Sequence, residues 1–270
     1  WWMGGLFALA AFLGLTTDAV QIGGGIGNVH RNAPVVIVQY LSIFSLFGML
    51  FVAMAVNGAL LRDHEQGMAD LIFASPIRRR DYVGGRMAAA IFASLCVFGV
   101  IALGLFVAQF MPWLEPQRLG PATAVPHLWA LGVIVLPNLV FMAALLSLLA
   151  ILTRSVLWVY VGVLGFIILY IISGVLMRDL DNVWAAVLAE PLGIRAFSRT
   201  IRYWAAEQRN TDVPAIAGYI LANRALWLGI GLVLMGACFA LFRTERTGTG
   251  RGLRRAKSTQ KPVAEVAPML

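Results

Sequence analysis

The chain has 270 residues, of which 60% are apolar and 13% charged, and it carries a formal net charge of +8. With a mean hydropathy of +0.82 it lies outside the composition of soluble globular domains and reads as an integral membrane protein. A hydrocarbon layer about 30 Å thick takes about 20 apolar residues in helical form. The continuous apolar runs exclude a closed barrel, whose strands alternate in segments of about ten residues. The expected fold is therefore all-α and polytopic, with six transmembrane helices near residues 1–16, 34–60, 87–110, 128–152, 156–177 and 225–242.

Residue 1 is Trp, already inside the first apolar run, with no Met and no charged lead, so the chain reads as a fragment. The glycine-rich "QIGGGIGNVH" at 21–30 lacks the spacing and the strand context of a dinucleotide-binding turn, and is expected as a flexible link between spans one and two. Spans two and three are separated by a polar block, residues 62–86, that contains five Arg. Within it Met68, Leu71 and Ile72 stand at i, i+3 and i+4 and give a short apolar face, with Arg62, Asp63, Glu65 and Asp70 around it. This pattern predicts a short amphipathic helix, ended by Pro76 through its restriction of Ser75. "RRRD" at 78–81 then meets lipid headgroups, and Gly84 and Gly85 precede the third span.

Only "TRS" at 153–155 divides spans four and five. Fifty unbroken helical residues would reach about 75 Å, so the chain turns near Arg154. In the polar segment 178–224, Ile194, Phe197, Ile201 and Trp204 form one helical stripe, and Arg195, Arg199 and Arg202 form another. Such a helix is expected in the membrane interface, its Arg side chains reaching lipid phosphates. Residues 1–242 are the membrane domain, and 243–270 read as a basic, disordered tail or linker.

Thirteen Lys and Arg fall in the polar block, the turn at 153–155 and the tail, against eight on the opposite side. The positive-inside rule then places both termini in the cytoplasm. Membrane topology accounts for the basic balance, and no nucleic-acid partner is required. None of the six predicted spans has an ionisable residue in its interior, and their polar content is limited to groups such as Gln39, Asn57, Gln109 and Asn138. Ion-coupled carriers and pumps depend on intramembrane charge, so energy for any transport is expected from a partner. Asn57 and Asn138 are expected to bond across helices. "HEQGM" at 64–68 has Met where the zinc-protease pattern needs its second His, so no metal site and no peptidase centre are expected. Cys96 and Cys238 lie within spans and imply no disulfide framework. There is no phosphate-binding loop motif, so the chain itself is not expected to be an enzyme or to hold a cofactor.

The stretch "ALLRDHEQGMADLIFASPIRRRDYVGGR" resembles the segment after the second span in permeases of ATP-binding-cassette exporters of the type-2 class. Arg62, Asp63, Glu65, Gly67, Ser75, Pro76, Arg78 to Arg80, Tyr82 and Gly85 carry the likeness. The resemblance implies a coupling helix between spans two and three that docks in a cytosolic ATPase subunit. Met68, Leu71 and Ile72 would fill its cleft, Arg62, Asp63 and Glu65 would hold the rim, Gly67 would allow close backbone approach, and Pro76 would end the helix. It also implies a second permease half, ATP and Mg in the partner ATPase, contact with membrane lipids, and a bacterial inner-membrane location. "DAVQIGGGIGNVHRNAP", "AEPLGIRAFSRTIRYW" and "NRALW" are similar to the membrane part of bacterial permeases fused to a gluzincin-type aminopeptidase. There the second of these stretches more often carries Asp-Pro-Phe-Gly where this chain has Glu190, Pro191, Leu192 and Gly193. Glu190, Pro191 and Gly193 are expected in a gate segment outside the cytoplasm. The competing expectation is a non-transporting anchor for a downstream peptidase domain.

Overall fold

A computed structural model describes residues 2–17, 28–62, 66–68, 78–176 and 182–242. Every regular element in these ranges is helical: α1 (Trp2–Thr16), α2 (Pro34–Leu61), α3 (Arg79–Ala108), α4 (Val125–Thr153), α5 (Val156–Leu176), three short helices α6 (Val183–Leu188), α7 (Ile194–Thr200) and α8 (Ala206–Thr211), and α9 (Gly218–Leu241). The helices α2, α3, α4, α5 and α9 are long and apolar enough to cross a membrane. That is compatible with a multi-pass membrane protein. The described part of α1 is shorter, fifteen residues, which rise about 22 Å.

The helices alternate in direction. Loops 28–33, 109–124 and 182–217 share one end of the bundle, where Asn32 bonds Gln109 and Gly120 and Asn210 bonds the His30 amide. The end of α2, the start of α3, the turn at 154–155 and the end of α9 share the other. At the core are α2 and α4: 67% of the most apolar stretch of each is buried, against 11% for α5 and 17% for α9. An exposed face of Leu157, Leu164, Leu169 and Val175 on α5, and of Leu221, Leu228, Leu232 and Val233 on α9, is what a lipid-facing helix presents.

Polar and small residues point inward from α9. Its buried positions are Ile220, Asn223, Arg224, Gly231 and Cys238, a spacing that keeps one face against α4. A Cβ at Gly231 would come within 3.1 Å of the Phe141 Cα, so glycine sets how closely α9 and α4 approach. Beside this contact the Trp227 and Phe141 rings meet edge to face at 4.9 Å.

Helix α4 has a wide, π-helical stretch at Ala130–Val135, followed at once by Pro137. Proline has no N–H to give and its ring crowds the carbonyl four residues back, and the wider turn accommodates both. A second π-helical stretch, Asn57–Leu61, closes α2. Arg154 adopts φ +51°, the left-handed region, and turns the chain between Thr153 and Val156, as the length argument required.

Three expectations need correction. The third span begins at Arg79 rather than 87, with Asp81 in its first turn, where the helix dipole favours an acid, and with Gly84 and Gly85 inside it. The last span begins at Gly218 rather than 225, so Arg224 lies within it, and α4 begins at Val125 and so includes His127. The apolar stripe of Ile194, Phe197 and Ile201 packs into the protein core rather than into lipid, and Arg195 bonds the Gly174 carbonyl at 2.8 Å. Gly67 takes φ +67°; the short helix expected from Met68 to Ile72 falls, beyond Met68, outside the described residues.

Candidate functional site

Between α6 and α7 the chain makes a buried turn, Glu190-Pro191-Leu192-Gly193, whose backbone carbonyls point into the bundle. Side chains from two spans take them up. On α9, Asn223 donates to the Val187 and Glu190 carbonyls at 2.6 and 2.7 Å, Arg224 to the Pro191 carbonyl at 2.9 Å, and Trp227 to the Leu188 carbonyl at 2.9 Å. On α4, Asn138 donates to the Leu192 carbonyl at 3.1 Å and to the Ser45 hydroxyl of α2 at 3.0 Å. Buried carbonyls left unbonded would each cost about 1–3 kcal/mol, and here the five are satisfied.

The charged members are held in the same way. Arg224 is 6% exposed, and its guanidinium donates to Asn138 Oδ1 at 2.8 Å and to Asn223 Oδ1. Glu190, 3% exposed, accepts from the Leu192 and Arg195 amides at 3.0 and 3.1 Å. It therefore caps the start of α7, whose exposed amides and dipole favour a carboxylate. Tyr170 of α5 lies close to Glu190. Arg224 and Glu190 are thus both buried at the same turn.

Gly193 completes the unit. Its φ is +80°, and a Cβ there would overlap the Arg224 guanidinium. One short turn is thereby locked to α2, α4, α5 and α9; we call it the latch. It has no nucleophile paired with a base, and what it presents is a turn held by many simultaneous bonds.

The same end carries a second polar contact. Asn32 at the start of α2 donates to Gln109 Oε1 and to the Gly120 carbonyl, and accepts from the Gly120 amide at 2.7 Å. The Arg31 amide bonds the Arg118 carbonyl at 2.9 Å. This clamp holds the loop after α3 independently of α9.

The opposite end, which we call the handle end, is apolar where it is packed. Tyr82, Val83 and Met87 of α3, Ala144 of α4, and Cys238 and Phe242 at the end of α9 form a cluster separate from the main core. The Tyr82 and Phe242 rings lie 5.7 Å apart, and the Arg86 guanidinium sits 5.3 Å over Tyr82.

Of the residues singled out in the sequence, Glu190, Pro191 and Gly193 come together in the latch. Arg62 is exposed at the end of α2, and Met68 is exposed just after the left-handed Gly67. The would-be Cβ of Gly67 meets nothing within 4 Å, so within this chain its backbone angle, and not a close approach, calls for glycine. Asp63, Glu65, Leu71, Ile72 and Pro76 lie outside the described residues. Asn138 bonds across helices as expected, whereas the Asn57 amide is buried without a partner. Sequence reading missed Asn223, Arg224 and Trp227 as site residues, although "NRALW" at 223–227 holds all three at i, i+1 and i+4. Among the described residues no group of three or more His, Cys, Asp or Glu is placed to hold a metal ion. No protein-family model, curated protein or solved structure matches the chain.

Proposed function

We propose that the chain is the membrane-spanning half of an ATP-driven exporter of the type-2 class. The observation that carries this reading is the polar block at 62–86, with its Arg62-Asp63-x-Glu65-x-Gly67 start and its Ser75-Pro76, Arg78–Arg80, Tyr82 and Gly85 continuation. The arrangement of the helices supports it: the block follows α2, a central helix, and precedes α3, and the end of α2 and the start of α3 lie at the end of the bundle opposite the latch. Among the described residues, α2, α4, α5 and α9 contain no carboxylate. Arg224, the one guanidinium within those four, is bound in the latch and makes no chain of proton carriers. Energy is therefore best supplied through the cytoplasmic side.

On this reading residues 62–76 dock in a partner ATPase that holds the ATP and Mg. A second permease half completes the path, both termini face the cytoplasm, and the membrane is the bacterial inner membrane. The latch is the outer closure. Substrate favours the open form only to the extent that it binds that form more tightly.

Co-purification tests the assignment: a stable complex with an ATP-binding subunit is expected, and its absence in the native membrane favours a membrane anchor without transport activity. In the reconstituted complex, Glu65→Arg or Leu71→Arg should leave the chain inserted while ATP hydrolysis no longer drives transport. Coupling that survives both substitutions overturns the docking role.

A further inference from the structure

We infer that α9 transmits movement between the two ends of the molecule, with Phe242 against Tyr82 as its input and Asn223 and Arg224 in the latch as its output. Residues 224 to 242 span eighteen helical steps, about 27 Å, and no proline interrupts α9. At the handle end α9 is joined to α3 by the separate Tyr82, Val83, Met87, Cys238 and Phe242 cluster, and the Phe239 ring reaches within 3.4 Å of where a Gly84 Cβ would stand. Tyr82 lies in the first turn of α3, within the 62–86 block, so displacement of that turn reaches Phe242 directly.

Along its length α9 is held mainly on one side. Gly231 and Trp227 contact Phe141, and the Cys238 thiol lies 3.5 Å from the Ala144 carbonyl. Its exposed leucines and valines face outward, and apolar contacts of that kind have no directional bonds to break when a helix slides or rolls. At the latch end the contacts are of the opposite kind. Asn223 and Arg224 are adjacent on α9 and between them bond the Val187 carbonyl of α6 and the Glu190 and Pro191 carbonyls of the turn. A small shift of α9 therefore breaks several bonds together, which suits a closure with two discrete states.

This transmission rests on reading the 62–86 block as the driven element, but its test needs no ATPase. Hydrogen exchange is measured on the purified full chain in lipid nanodiscs, following the Leu192 and Arg195 amides that Glu190 holds. The Gly120 and Arg31 amides of the clamp serve as the reference at the same end. Phe242→Ala and Tyr82→Ala should speed exchange at Leu192 and Arg195 by at least fivefold and leave Gly120 and Arg31 unchanged. Phe242→Leu keeps an apolar side chain while losing the ring contact, and should give at least a twofold rise confined to the same two amides. No change at Leu192 and Arg195 in the Leu variant overturns the inference, and so does an equal rise at all four amides, which would be general loosening. Such a result removes the transmission alone. Failure of an ATP-binding subunit to co-purify removes the functional reading and leaves the transmission standing.

Discussion

At the latch end, Arg224, Asn223, Asn138 and Glu190 are buried and engaged by hydrogen bonds of 2.6 to 3.1 Å to the backbone of residues 187–195. At the handle end, α3 and α9 meet through Tyr82, Met87, Cys238 and Phe242. A polar network in a low-dielectric interior is strong when complete and costly when one member is missing, so it favours a single geometry. An apolar cluster is non-directional and yields in small steps. The difference teaches how one bundle can be firm at one end and compliant at the other without a change of fold.

The most severe way to break the contrast is Arg224→Leu. It strands the Asn138 and Asn223 oxygens and the Pro191 carbonyl, and each buried acceptor left without a partner costs about 1–3 kcal/mol. We expect loss of cooperative thermal unfolding in detergent, or a large fall in the yield of monodisperse protein. Gly193→Ala should come next: it forces a left-handed angle on an L residue, worth about 1–2 kcal/mol, and pushes the guanidinium out of place. A lowered unfolding midpoint is expected, and Gly193→Asn, whose side chain tolerates that angle better, should recover none of the guanidinium contact. Gly231→Ala sharpens the comparison from the middle of α9. Its methyl group meets the Phe141 backbone, and overpacking of this kind costs about 1–3 kcal/mol; denaturant titration should show destabilisation without loss of insertion. The smallest effect belongs to the handle end, where Arg154→Gly relieves a left-handed residue at the expense of a more flexible unfolded chain. A net change within about 1 kcal/mol should appear as a nearly unchanged unfolding midpoint.

The apolar runs made the long helices legible, because a bilayer imposes length and composition on anything that crosses it. Their ends were harder to read. Arg79 to Arg86, His127 and Arg224 look like loop residues on a hydropathy scale, yet the helices continue through them, and Arg224 is held in place by buried partners. For Arg224 those partners lie 86 and 33 residues away, at Asn138 and Pro191, and no local pattern encodes such distances. Residues 194–204 show the complementary ambiguity. An amphipathic stripe reports that one face is buried, but lipid and protein give the same stripe, and here Phe197 and Ile201 face protein. The latch turn was legible as a distinctive stretch, Glu190 to Gly193, while its bonding to α9 was not.

The wide stretch at Ala130–Val135 has a bearing on how this chain can change by descent. A π-turn carries a surplus residue relative to the α-helix around it, so excising one residue there returns the backbone to regular winding. Asn138, Phe141 and Ala144 would then keep their neighbours. The same excision between Met142 and Leu149 would swing each later side chain by about 100° about the axis and scatter the contacts that follow. Length variation in α4 is therefore tolerable at one place, just ahead of Pro137, and ruinous two turns further on.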